Sequence, residues 1–123
     1  MTTEESADPV ELAVSRWLTL PELAEALGLD VARVRQMLAD GHFLARRRGE
    51  RSVLSVPVEF VQDGDVLKGL AGTLTVLSDS GYSQEEALEW LFADDATLPG
   101  SPVTALRQNR GTEVRRRAQA LGF

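Results

Sequence analysis

Apolar residues recur along this chain with a helical period, and each recurrence is opened by a capping residue and closed by glycine or a polar turn. Thr19 and Glu22 have the T-x-x-E spacing of a capping box, and Pro21 falls in the first turn, where a missing N–H costs nothing. Leu20, Leu23, Ala24 and Leu27 share one face, so a helix is predicted from Thr19 to Gly28. Asp30 is placed to cap a second helix, Val31 to Ala39, with Val31, Val34 and Leu38 on the buried stripe and Asp40-Gly41 at its end. Only Gly28-Leu29-Asp30 separates the two, and a three-residue link with a glycine, and Leu29 to plug the angle, predicts a helix-turn-helix. Next, His42–Arg47 and Ser52–Val56 read as short strands around the turn Arg48-Gly49-Glu50-Arg51, where glycine supplies a positive φ. A helix-turn-helix followed by a hairpin is a winged helix.

Upstream, residues 1–8 are polar and acidic without apolar periodicity, which predicts a flexible tail ending at Pro9. Val10 to Trp17 predicts a short amphipathic turn or two that delivers Trp17 and Leu18 to the core. Downstream of Pro57 the pattern turns helical. Val58–Val61 reads as a helical turn and Gln62-Asp63-Gly64-Asp65 as a loop. Leu67 to Leu77 reads as a helix, weakened by Gly69 and Gly72 at about 1 kcal/mol each, whose presence points to close packing. Ser83 and Glu86 form a second capping box ahead of Ala87, Leu88, Trp90, Leu91 and Phe92; Ser101-Pro102 opens a further helix with Val103 and Leu106; a last one runs from Glu113 to about Leu121. The expected fold class is mainly α: a winged helix-turn-helix with a short β-hairpin wing, followed by a small helical C-terminal domain. The expected division is an acidic tail at 1–9, a winged helix at 10–60 and a helical interaction domain at 67–123.

Composition narrows the chemistry. The 123 residues contain no cysteine and one histidine, His42, so disulfides, thiolate nucleophiles, cysteine zinc sites and histidine triads lack their groups. No metal, cofactor or enzymatic activity is expected, nor a membrane span, and the setting is read as cytoplasmic and reducing. The net charge of −6 argues against a polyanionic partner until it is divided by segment. Residues 1–14 carry −4 and residues 57–99 carry −8, but residues 15–56 carry +2 and residues 100–123 carry +4. Arg46, Arg47, Arg48 and Arg51 fall within six positions, close enough to dominate the local potential over a Debye length of about 8 Å.

On a helical wheel Arg33, Gln36 and Asp40 point away from the predicted buried stripe, and Arg35 lies nearer its edge. An exposed Arg and Gln nearly a turn apart suit base edges in a major groove, Arg pairing with guanine and Gln with adenine, each worth about 1–3 kcal/mol of discrimination. The wing arginines then meet phosphates and set affinity and register. The expected DNA-binding set is Arg33, Arg35, Gln36, Arg46, Arg47, Arg48 and Arg51. Against it stands the ordinary fate of exposed arginines, which is solvation; the turn spacing, the caps and the hairpin favour double-stranded DNA.

The stretch from Leu18 to Pro57 resembles the winged helix-turn-helix of excisionase-like and MerR-like proteins, with Gly41, Leu44, Ala45 and Arg47 in the order of their x-G-x-L-x-A-x-R segment. Over residues 18–123 the chain resembles actinobacterial DNA-binding proteins in which this winged helix precedes a distinctive helical C-terminal domain. That resemblance implies DNA binding by the winged helix and control by a Ser/Thr protein kinase acting on the N-terminal tail, where Thr2 and Thr3 are the phosphorylation candidates, with Ser6 beside them; the expected role is that of a transcriptional regulator or nucleoid-associated factor. Separately, Ala87 to Leu121 resembles the C-terminal domain of Xre/MbcA/ParS antitoxins, departing from it at Ser101 and Ala105. This implies a protein partner, or self-association, through the C-terminal helices. The competing function is accordingly an antitoxin-like or adaptor module whose winged helix has lost DNA.

Other residues have plainer roles. His42 at a helix–strand junction reads as a local hydrogen-bonding or phosphate-facing group. Asp94-Asp95 and Glu85-Glu86-Glu89 read as capping and surface acids rather than a Mg2+ site. Trp17 and Trp90 read as core, and Arg115-Arg116-Arg117 as pairing with the acidic 57–99 segment in preference to phosphate.

Overall fold

The computed structural model describes residues 8–121. Asp8 and Pro9, grouped above with the tail, open helix α1 (Pro9–Ala13): the Asp8 carboxylate accepts the Val10 N–H at 2.8 Å and Pro9 occupies the first turn. Thr2, Thr3 and Ser6 lie outside the described residues. Beyond α1 the chain does not continue as helix. Trp17–Thr19 forms strand β1, an aromatic and a β-branched residue flanking the buried Leu18.

Thr19 then serves both as the last residue of β1 and as the cap of α2 (Leu20–Leu27), in a reciprocal box with Glu22. Gly28 ends α2 at φ 68°, and Asp30 caps α3 (Val31–Ala39). The helix-turn-helix is as predicted, but its packing differs. Leu29 is 40% exposed and does not plug the angle; Leu23 and Ala24 of α2 and Val34 and Met37 of α3 are buried instead, while Val31 and Leu38 are only half-buried. The buried stripe is therefore rotated toward Met37 relative to the wheel.

The wing is β2 (Arg46–Arg48) and β3 (Val53–Pro57), paired antiparallel with Arg46 opposite Ser55, Arg47 opposite Leu54 and Arg48 opposite Val53. The turn between them holds Gly49 at φ 77°. β1 pairs with the other edge of β3, Leu18 opposite Val56, which makes β3 the middle of a three-stranded sheet in the order β1-β3-β2.

Val58–Phe60 forms a 3-10 turn, as the periodicity indicated. The Gln62–Asp65 loop is a small hairpin, β4 (Val61–Gln62) with β5 (Asp65–Val66), turned by Asp63 at φ 55° and Gly64 at φ 78°. Two consecutive positive φ values are the demand of a type I′ turn, which Asp-Gly meets. Arg107 fastens this hairpin to the C-terminal helices: its Nη1 donates to the Glu59 and Val61 carbonyls at 2.8 and 2.7 Å.

Helices α4 (Leu70–Asp79), α5 (Gln84–Phe92), α6 (Pro102–Arg107) and α7 (Gly111–Gln119) complete the chain. α4 begins three residues later than the apolar run suggested, because Gly69 caps it at φ 87° and cannot be helical there. Leu67 is still buried, ahead of the helix. The close approach expected of the glycines is real at Gly69, where a Cβ would stand 3.1 Å from Leu106 Cδ2 and 3.6 Å from the Gly111 Cα. The core is continuous from Val10 to Ala118, and α1 lies against α5, so the winged helix and the C-terminal helices share buried surface.

Candidate nucleic-acid interface

The Asp30 carboxylate accepts the Arg33 N–H at 2.8 Å, which fixes the first turn of α3 and leaves Arg33, Arg35 and Gln36 exposed. Gln36 Nε2 donates to Asp40 Oδ1 at 3.0 Å, one turn along the same face. All three side chains are at the surface, Arg33 and Gln36 as the wheel placed them and Arg35 further out than the edge position it was given.

The four wing arginines are not equivalent. Side chains alternate along a strand, so Arg46 and Arg48 share one face of β2 and Arg47 takes the other. Arg47 is exposed, donates from Nη1 to the Ser52 carbonyl at 3.0 Å, and lines a shallow cleft together with Arg35, Thr19, Leu20 and Pro21. Arg51 is exposed in the turn. Among the described residues Arg33, Arg35, Arg47 and Arg51 form no ion pair.

Arg46 and Arg48 turn the opposite way. The Arg46 guanidinium meets Asp8 at 3.2 Å, Glu11 at 3.0 Å and Glu85 of α5, and its side chain is only 11% exposed. Arg48 forks onto Glu11, with Nη2 at 2.7 Å from Oε1 and Nε at 3.1 Å from both oxygens. Both guanidinium carbons lie over the Trp17 ring, Arg48 at 4.6 Å and Arg46 at 5.8 Å from its centroid. Burial works against the Arg46 charge, but hydrogen bonds to Glu85 and Glu11 outweigh it and raise its pKa. The Arg48 hydrogen bond, opposed by partial burial and aided by Arg46, holds the Glu11 carboxyl below its ordinary value. Asp8, Glu11, Trp17 and Glu85 are thus partners of the wing that the sequence did not reveal; strand alternation alone would have separated Arg47 from its neighbours.

The remaining singled-out residues have local partners. Glu86 caps α5, Asp95 accepts from Thr97 N and Oγ1 at 2.8 and 2.6 Å, and Glu85 binds Arg46. Among the described residues no group of three or more acidic or histidine side chains is placed to hold a metal ion. Trp17 and Trp90 are partly buried against the core, and His42 is half-buried. Arg117 donates to Thr97 and pairs with Glu113 of its own helix at 3.4 Å, while the Arg115 guanidinium lies over Gly72, 3.8 Å from where a Cβ would stand. Among the described residues no carboxylate of 57–99 forms a direct ion pair with this run; Arg117 reaches that segment at Thr97, whose hydrogen bonds to Asp95, aided by the Arg117 charge, hold the Asp95 carboxyl below its ordinary value. No helix among the described residues is long and apolar enough to cross a membrane.

Residues 6–61 match the family described as "DNA-binding protein Rv2175c, wHTH domain", and residues 67–122 match "Rv2175c C-terminal domain of unknown function". DNA-binding protein Rv2175c of Mycobacterium tuberculosis (strain ATCC 25618 / H37Rv) is 41% identical over 116 residues, an alignment covering 85% of this chain and 79% of that one. The chain belongs to the Rv2175c family. The NMR structure of Rv2175c superposes with a TM-score of 0.78 at 37% identity, covering 88% of this chain and 82% of that chain. The Rv2175c fold, a winged helix-turn-helix followed by a helical C-terminal domain, is therefore the fold of this chain as well, and the actinobacterial resemblance read from its residues holds.

Proposed function

We propose that this protein binds double-stranded DNA as a transcriptional regulator, with α3 in the major groove and the outer face of the wing on the backbone. The observation that carries this is the pairing of Arg35 with Arg47 beside one cleft, both exposed and free of carboxylate partners among the described residues, on an otherwise anionic protein. The start of α2 at Thr19–Pro21 borders the same cleft. The family's description as DNA-binding supports the same assignment. Arg33 and Gln36 read base edges; Arg35, Arg47 and Arg51 meet phosphates; Arg46 and Arg48, already held by carboxylates, do not. Phosphorylation of Thr2 or Thr3 by a Ser/Thr kinase, which rests on resemblance, would place about −1.5 to −2 charge on the tail and oppose DNA.

Titration of a labelled duplex at several salt concentrations tests this. Arg47→Ala and Arg35→Ala each weaken binding to all sequences and make the log–log salt slope shallower by about 0.9, whereas Arg33→Ala relaxes preference at one base pair. Unchanged slopes in both variants would remove the cleft from the interface. A second reading, an antitoxin-like or adaptor module, draws on the neutralised Arg46 and Arg48. It predicts no DNA binding at low salt and a stoichiometric protein partner on purification.

A further inference from the structure

β2 is three residues long and lies at the edge of its sheet, paired only with β3. So short an edge strand has little of its own to fix its angle to α3. What holds it comes from distant parts of the chain. α1 is anchored by the fully buried Val10 and by its packing on α5, so Glu11 presents its carboxylate from a fixed helix. Arg48 meets it with both Nε and Nη2, the planar fork that sets direction as well as distance. Trp17 closes the ring-facing side of the same guanidinium. Arg46, one strand repeat away, binds the same carboxylate together with Asp8 and Glu85.

We propose that Glu11 is a positioning residue for the wing: by clamping Arg48 and Arg46 on the inner face of β2, it sets Arg47 on the outer face beside Arg35. The consequence for DNA rests on the reading of the interface given above; the clamp itself does not. The opposite role, an acidic helix that masks two phosphate-binding arginines, fits the geometry less well. Arg46 is nearly buried over Trp17 among three carboxylates, and both side chains leave the strand on the face opposite Arg47. Freeing them would not bring them to the duplex that Arg47 touches.

The test uses the full chain with Glu11→Gln and, separately, Arg48→Met, each checked for an intact thermal transition. Two measurements are made: duplex titration at several salt concentrations, and amide hydrogen exchange across the wing and α7. Both variants lower DNA affinity about three- to tenfold, the range for residues that act without touching the ligand. Both leave the salt slope at the wild-type value, in contrast to Arg47→Ala, since Arg47 is still present and meets its phosphate once the duplex has re-ordered the wing; only affinity falls. Wing amides in residues 46–56 exchange faster while those of α7 do not change. Tighter binding with a steeper slope in Glu11→Gln, or a slope shallower by about 0.9 in Arg48→Met, would make these arginines phosphate ligands and overturn the proposal. Unaltered affinity or unaltered wing exchange overturns it equally. If the wild-type protein binds no duplex at low salt, the DNA reading falls and the exchange data alone decide the clamp.

Discussion

Gly69 and Gly72 lie three residues apart, and the structure gives the same substitution opposite signs at the two positions. Gly69 is the αL cap of α4 at φ 87°, so an L-residue there costs about 1–2 kcal/mol in backbone energy. Its new Cβ would also stand 3.1 Å from Cδ2 of Leu106, a side chain 2% exposed and with little room to give, which adds about 1 kcal/mol of overpacking. The stiffer unfolded chain returns a few tenths, leaving Gly69→Ala destabilised by about 2 kcal/mol. Gly72 is inside α4 and its Cβ would meet only the movable Arg115 guanidinium at 3.8 Å. Gly72→Ala therefore stabilises by about 0.5–1 kcal/mol through helix propensity. Urea unfolding followed by circular dichroism reads both as shifts in midpoint at constant slope. At about 4 °C per kcal/mol for a chain of this size, the two variants should melt about 10 °C apart. A Gly69→Ala protein as stable as wild type, or the reverse order of the two, would show that the Gly69–Leu106–Gly111 contact is not as tight as described.

Thr19→Ala removes the hydroxyl that accepts the Glu22 N–H, and costs about 1 kcal/mol in chemical denaturation, as Ser83→Ala does at the start of α5; a neutral result at Thr19 would mean that the β1–β3 pairing alone fixes the start of α2. The Glu11 carboxyl is lowered from its ordinary value of 4.5, first by the Arg48 hydrogen bond. A group whose folded pKa is depressed contributes fully above its unfolded pKa and loses that contribution as pH falls through the folded value. The stability difference between wild type and Glu11→Gln should thus be constant above about pH 5 and shrink as pH falls below 4.5; a difference that persists in acid would place the clamp's stabilisation elsewhere.

How the sequence and the tertiary structure divide this protein is clearest at the arginines. Thr19, Asp30, Ser83 and Ser101 each cap a helix through a bond to an N–H three residues away, and Gly28 and Gly49 supply positive φ within their own turns. Those choices are settled inside a few residues, so the helix-turn-helix, the wing and the C-terminal helices could be placed from the chain alone. β1 could not, because a three-residue strand exists only once β3 is beside it. The α4 boundary was obscured by Leu67, which is as apolar as the helix it precedes and is buried for a different reason.

Order along the chain decides which arginines are clustered, but not which of them are free. Glu11 is 35 positions from Arg46, and Glu85 is 39 positions away in the other direction. No periodicity links residues so far apart: their meeting depends on how α1, the wing and α5 pack over a common core. Strand pleating then decides that Arg47 looks outward while Arg46 and Arg48 look in, where both stack over Trp17 and meet the carboxylates of α1 and α5.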